Sequence, residues 1–279
     1  MNNVLRTLIF DGQVSLTVAN TTALVSVGIQ RHRLSKTSSL VFGRALSAMT
    51  YMSACLKQET GEISLSLKSD GACEEIAVSG NRKLHLRGYI LNTQANGTQK
   101  DCLGETGSLT IIRDDGYNRP FVGSCAFPEN ADIDGAFEEY YRISEQLPTR
   151  IQTAVELDDN GACIFAGVMV VQPLPFADKE TLEKVAALNL DKLLSLVKTK
   201  EIETLVKEHF RADENVWDFR EASYTCNCSR EYLSQVLVSV GEEQMRQIIR
   251  EDGSLKVHCH YCNTDYEFTD EDADKIFQK

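Results

Sequence analysis

The spacing of apolar positions changes several times along the chain, and each change marks an element. Residues 4–10 and 13–19 read as strands. Between them Asp11-Gly12 accepts the positive φ of a hairpin turn. Asn20, Thr21 and Thr22 offer a cap for a helix running to about residue 33, with Leu24, Val27 and Ile29 as its apolar positions. A longer helix is expected after Thr37-Ser38-Ser39. There Leu40, Val41, Ala45, Leu46, Ala48, Met49, Met52, Cys55 and Leu56 recur at three- and four-residue intervals. From Gly61 to Cys125 the period becomes two. Ile63, Leu65 and Leu67 alternate with polar residues, and residues 76–78, 84–90, 109–112 and 121–125 are further strands. Gly71, Gly80-Asn81, Asn96-Gly97 and Asp115-Gly116 separate them. Residues 130–145 return to helix, with Ile133, Phe137, Tyr140, Tyr141 and Ser144 on one side, and Pro148 lies beyond its end. Two more strands, 151–157 and 162–171, flank the turn Asp158-Asp159-Asn160-Gly161. Strands grouped between helices, without regular βα alternation, predict an α+β fold.

Pro173-Leu174-Pro175 closes this large N-terminal domain, residues 1–176. Asp178 then caps a helix carrying Leu182, Val185, Leu188, Leu193, Leu196 and Val197. A second stretch carries Ile202, Leu205, Val206, His209 and Phe210. Residues 177–220 are rich in Lys and Glu, and their apolar stripe must lie on something; the neighbouring sheet is the expected surface. They are a helical connector, with Trp217 and Phe219 expected to anchor it to the C-terminal domain. That domain, residues 221–279, is small and α+β. Ser229-Arg230-Glu231 opens a helix ended by Gly241, a short helix covers 242–250, and residues 255–258 and 266–268 alternate like a hairpin. Its apolar content is too small for an independent core, and a metal would supply the missing folding energy.

The chain has 279 residues, of which 42% are hydrophobic, and a formal net charge of −12. Acidic balance opposes a phosphate-binding surface, which needs clustered Lys and Arg. The opening residues lack a basic stretch followed by a long apolar run, and nowhere is there a span of about 18 apolar residues. The expectation is therefore a cytoplasmic protein with no nucleic-acid or membrane partner. Nine cysteines, an odd number, fit metal or redox chemistry better than a paired disulfide framework in that compartment.

Four of those cysteines are patterned: Cys226-x-Cys228 and, after a thirty-residue interval, Cys259-x-x-Cys262. Two close-set thiol pairs brought together by an intervening loop outline a tetrahedral zinc site. His258 and His260 are alternative ligands, but in a strand they face away from Cys259. The centre is either a structural staple or an oxidant-sensitive switch. A disulfide across Cys-x-Cys closes a small, strained ring, and thiolates held by zinc are open to peroxide or hypochlorite. Loss of metal would unfold the small domain, free the connector and expose its apolar stripe. Two rival functions remain. One is a zinc-ribbon binding module, opposed by twelve acidic against six basic residues from Glu221 to Lys279. The other is a thiol oxidoreductase using Cys259 and Cys262, opposed by the lack of a thioredoxin-like context.

These residues resemble the C-terminal switch of the heat-shock protein 33 family of redox-regulated holdase chaperones. The resemblance spans nearly the whole chain. It includes Gly43-Arg44-Ala45-Leu46, the run Gly104 to Leu109, Tyr140-Tyr141 followed by Ser144-Glu145-Gln146-Leu147-Pro148-Thr149, and Gln172-Pro173-Leu174-Pro175. Ala166-Gly167 departs from an expected Gly-Gly pair. The resemblance implies a non-enzymatic, ATP-independent chaperone, monomeric and holding one Zn2+ per chain while reduced. It implies that oxidation pairs Cys226 with Cys228 and Cys259 with Cys262 and releases zinc, that the protein then dimerises and holds unfolding clients, and that it passes them to the seventy-kilodalton heat-shock foldase system. Phe137, Tyr140 and Tyr141 are a candidate client-binding face, with core packing as their alternative role. Among the other cysteines, Cys55, Cys125 and Cys163 are expected to be buried and inert, while Cys73 and Cys102, flanked by Gly and charged residues, are expected to be exposed. The run Gly104-Glu105-Thr106-Gly107 lacks the Lys of a phosphate loop and reads as a turn. His32 and His85 have no triad partners.

Overall fold

The computed structural model describes residues 3–128, 132–210, 212 and 214–277. It divides into two compact units, Met1–Thr225 and Cys226–Lys279. In the large unit, β1 (Val4–Ile9), β2 (Val14–Asn20), α1 (Thr22–His32) and α2 (Lys36–Ala54) come first. They are followed by β3 (Glu62–Ser69), β4 (Glu75–Asn81), β5 (His85–Ile90), α3 (Gln99–Leu103), β6 (Gly107–Asp114) and β7 (Phe121–Ala126). Next are α4 (Ile133–Tyr140), continued by a π turn over Tyr141–Glu145, then β8 (Arg150–Leu157) and β9 (Cys163–Pro173). The unit closes with α5 (Lys179–Ala187), α6 (Leu190–Ser195), α7 (Ile202–His209), β10 (Asp218–Arg220) and β11 (Ser223–Tyr224).

Two sheets result: β10-β1-β2-β9-β8, wholly antiparallel, and β11-β5-β4-β3-β6-β7, in which only β11 runs parallel to its neighbour. The α+β expectation holds. The first sheet is buried on both faces, and the alternation of its strands divides the side chains between two cores. Ala19, Val168 and Val170 join α1, α2 and the second sheet in the main core. Leu5, Ile9, Val14, Leu16, Val18, Met169 and Val171 face the opposite way and meet Val185, Leu194, Val197, Leu205, Val206 and Phe210 of the connector. Burial of both faces explains the unbroken apolar run Val168–Val171 in β9. The second sheet keeps one polar face, which is why Ile63, Leu65 and Leu67 alternate cleanly with Glu62, Ser64 and Ser66.

α2 runs between the sheets and is buried nearly all round, so its three-four periodicity is only part of its apolar surface. Ser47 and Thr50 satisfy their hydroxyls within it, donating to the carbonyls of Gly43 at 2.9 Å and Leu46 at 3.0 Å. Its N-cap is Ser35, whose Oγ accepts from the Ser38 amide, rather than the Thr37-Ser38-Ser39 run. Arg6 and Arg220 both donate to the carbonyl of Ala54 at its last turn, placing cations where the helix dipole is negative. The expected start of the next helix at Asn130 lies outside the described residues; Asp132 caps it. The connector is broken more often than its apolar spacing suggested. Leu188 adopts an extended conformation and Asn189 caps a new helix with its Oδ1 on the Lys192 amide. Trp217 and Phe219 pack with the connector core against the first sheet, where β10 pairs with β1.

The small unit contains α8 (Arg230–Val240), α9 (Glu242–Asp252), the hairpin β12 (Leu255–Cys259) and β13 (Thr264–Phe268), and α10 (Asp270–Phe277), a helix that the apolar pattern does not announce. Its buried apolar cluster is Leu237, Met245, Ile249, Phe268 and Ala273, a small core for three helices and a hairpin.

Candidate metal centre

The cysteines of the small unit approach from two sides. Cys226 and Cys228 lie in extended chain just ahead of α8, whose N-cap Ser229 accepts from the Tyr232 amide at 3.1 Å. Cys259 ends β12, and a turn returns the chain so that the Cys262 amide donates to the Cys259 carbonyl at 3.3 Å. Asn263, with φ +50°, completes the reversal.

All four Sγ atoms lie within 4.8 Å of one another. Cys226 and Cys228 are 3.3 Å apart, Cys226 and Cys259 3.8 Å, and Cys228 and Cys262 3.1 Å. Tetrahedral zinc with Zn–S bonds of about 2.3 Å puts its sulfurs about 3.8 Å apart, so the four thiols fit such an ion with small adjustments. No histidine, carboxylate or further cysteine belongs to the cluster among the described residues. His258 and His260 are exposed, and His258 Nδ1 is taken by Asp265 Oδ1 at 2.7 Å.

The electrostatics favour one thiolate first. Burial opposes ionisation of Cys228, yet hydrogen bonds from the Tyr266 hydroxyl and from the Cys262, Cys226 and Cys259 thiols outweigh it and lower its pKa to about 7. Burial raises Cys226 and Cys262. Four crowded sulfurs cannot all ionise without a cation among them, so a metal bound there would supply the charge that holds all four as thiolates. Cys259 and Cys262 sit at a hairpin tip and not at a helix N-terminus, so the geometry that activates thioredoxin-type pairs is absent.

The candidate client-contacting residues lie inside. Phe137 and Tyr140 are 0% exposed and Tyr141 is 4% exposed, so in this state they are core residues that reach no partner. Tyr140 donates to Glu145 Oε1 at 3.0 Å, and its ring packs on that of Tyr141. Cys73 and Cys102, expected at the surface, are both 0% exposed. Cys125 is buried, while Cys55 and Cys163 are half-buried. Cys55, enclosed beside Tyr51 and Arg6, has its pKa raised by burial.

An α+β body with a helical strap on its outer sheet is joined in sequence to a small unit whose four thiols could hold a metal ion. The profile of the family described as Hsp33 protein matches residues 2–269, and the chain belongs to that family of chaperones. The 33 kDa chaperonins of Bacillus cereus (strain B4264) and Bacillus anthracis (strain CDC 684 / NRRL 3495) are each 28% identical over 294 residues. Each alignment covers 99% of this chain and 98% of the relative. The crystal structure of the 33 kDa chaperonin (heat shock protein 33 homolog) from Thermotoga maritima has the same fold, with a TM-score of 0.84 at 23% identity, over 99% of this chain and 97% of that one. Membership of a chaperone family implies binding of unfolded client proteins. No helix among the described residues is long and apolar enough to cross a membrane.

Proposed function

We propose that this protein is a cytoplasmic, ATP-independent holdase switched on by oxidation of Cys226, Cys228, Cys259 and Cys262. Support comes first from the convergence of those four sulfurs in a unit with a very small core. Zinc bound there would hold the sulfurs as thiolates and contribute folding free energy that the core alone does not supply. Oxidation removes the thiolates. Cys259 and Cys262 close one disulfide and Cys226 and Cys228 another; each disulfide releases two electrons and reduces one peroxide to two waters. The small unit then loses its cross-link and unfolds.

The connector, residues 177–220, transmits that loss along the chain. Cys226 comes two residues after the end of β11, which is held by its backbone pairing with β5 and by the phenol of Tyr224. Tyr224 Oη donates to the Gly88 carbonyl at 2.7 Å, accepts from the Gly88 amide at 3.2 Å and is paired with His32 Nε2 at 2.9 Å. Release of the connector bares Leu5, Val14, Leu16 and Val18 of the first sheet together with its own Val185, Leu194 and Leu205, a surface suited to unfolding clients. In this scheme residues 1–176 hold clients and residues 221–279 sense oxidant. Opening of the core would be needed before Phe137, Tyr140 or Tyr141 took part. The reduced protein is a monomer, the oxidised protein a homodimer, and clients pass on to the seventy-kilodalton heat-shock foldase system.

The test is to oxidise zinc-loaded protein with peroxide under mild heat, or with hypochlorite, and to follow zinc release and aggregation of a chemically unfolded client together. One zinc per chain should leave as suppression of aggregation appears. Zinc release with no suppression at any stoichiometry refutes the proposal.

A further inference from the structure

Outside the four-cysteine centre, a second pair of cysteines meets inside the large unit. Cys73 lies in the turn between β3 and β4, and Cys102 lies on α3, nearly thirty residues later. The Cys73 amide donates to the Cys102 carbonyl at 2.8 Å, and the preceding Ala72 amide donates to the Asp101 carbonyl at 3.0 Å. Such direct backbone pairing holds two Cα atoms about 5–6 Å apart, within the span a disulfide requires. The two segments are pressed together. A Cβ on Gly71 would lie 2.2 Å from the Gly104 nitrogen, so the turn tolerates only glycine there. Asp70 Oδ1 fastens the far side, accepting from the Glu105 and Thr106 amides at 3.0 and 2.9 Å. The backbone pairing brings the two thiols into the same buried pocket, and the Ser69 hydroxyl lies 3.3 Å from Cys73 Sγ.

We propose that Cys73 and Cys102 form a second dithiol–disulfide couple, independent of the zinc-type centre, which staples the β3–β4 turn to α3 when peroxide reaches it. The pair is asymmetric. The hydrogen bond from the Cys102 thiol, helped by Ser69 and opposed by burial, draws the Cys73 pKa down, while the same bond and burial push Cys102 up. Cys73 is therefore the attacking sulfur and Cys102 the resolving one. The Cys73 thiolate attacks one peroxide oxygen. The O–O bond breaks, a sulfenic acid forms and hydroxide leaves, taking a proton to become water. Cys102, losing its proton, attacks the sulfenic sulfur; the S–O bond breaks and a second water departs. Two thiols and one peroxide give one disulfide and two waters.

Both thiols are sealed, so the reaction requires local opening of the 70–74 and 101–106 segments. It runs more slowly than oxidation of the zinc-type centre, where Cys226, Cys228 and Cys259 are only half-buried. Its consequence is protective. A cross-link closing a loop of this length in the main core keeps the large unit folded under the oxidant that unfolds the small one.

The couple is tested on the full chain with peroxide, acid quenching, alkylation and peptide mapping, which scores each cysteine pair separately and so does not depend on the holdase proposal. The expected result is a peptide cross-linking Cys73 to Cys102, short by two hydrogen masses and restored by reductant. A thermal midpoint about 5–10 °C above that of equally oxidised Cys73→Ser is expected for the large unit. In Cys102→Ser, Cys73 should accumulate sulfenic acid trapped by a cyclic dione, while Cys102 in Cys73→Ser should not. The proposal is overturned if all four zinc-type cysteines pair while Cys73 and Cys102 both remain alkylatable in the unfolded wild-type protein. If Cys102→Ser does not fold, the wild-type map alone decides.

Discussion

Leu205→Ala is the sharpest single perturbation of the strap. Leu205 is 0% exposed on α7 and lies in the cluster with Leu5, Ile9, Leu16 and Val18 of the first sheet. The substitution removes three carbons from contact, about 2.4 kcal/mol of transfer free energy at about 0.8 kcal/mol per carbon, and leaves a partly unfilled cavity. About 3 kcal/mol is a reasonable total, equivalent to roughly a hundredfold shift from docked to free connector. The change lies on the strap and touches none of the four patterned cysteines, so zinc affinity should stay unchanged. Hydrogen exchange at α6 and α7 should accelerate by roughly two orders of magnitude while α2 and β4 keep their protection. The fully reduced variant, with no oxidant added, should begin to suppress client aggregation where fully reduced wild type is silent. If α7 amides exchange as in wild type, or if α2 loses protection equally, release of the strap is not a separable event and the reasoning fails.

Individual contacts set three further outcomes. Cys259→Ser should lower zinc affinity by roughly a hundredfold or more in chelator competition, since one thiolate of four is lost; unchanged affinity would remove Cys259 from the ligand set. Tyr224→Phe should cost about 1–3 kcal/mol by leaving Gly88 and His32 without the phenol, read as faster exchange at residues 218–225; unaltered exchange would deny Tyr224 its latch role. Asp134, buried on α4 beside Thr153, has its pKa pushed up to about 6 from 3.8 by burial, against Arg44 and the Thr153 hydrogen bonds. A carboxyl that holds its proton more tightly when folded stabilises below about pH 4, and that contribution fades as pH rises through about 6. About 3 kcal/mol is at stake, and urea titrations of Asp134→Asn from pH 4 to 7 should lack that decline.

The strands were legible because their alternation meets a simple boundary. In β3 the polar partners of Ile63, Leu65 and Leu67 face solvent, so a period of two survives in the sequence. The two-sided burial of β9 was less legible, since Val168–Val171 alone does not say that a second layer covers the sheet. The break at Leu188 was hidden because apolar spacing continues across it; only the Asn189 cap marks it. α10 was missed because its first turn, Asp270, Glu271 and Asp272, carries no apolar residue to start a helical period. In the structure the Asp272 carboxylate accepts from the Thr269 amide, and Ala273 packs inward. The patterned cysteines were legible because ligands of one metal come in close-set pairs. The meeting of Cys73 with Cys102 was not, because it depends on the β3–β4 turn pairing with α3 through backbone amides, and no local spacing records that.

The coupling between thiol oxidation and the strap is best followed by hydrogen exchange on zinc-loaded protein taken stepwise through peroxide oxidation, with client aggregation measured on the same samples. Amides of α5, α6 and α7 should lose protection in step with closure of the Cys226–Cys228 and Cys259–Cys262 disulfides and with the rise in holdase activity, while β2, β9 and α2 stay protected. Full suppression of aggregation with α5 to α7 still protected would contradict the account.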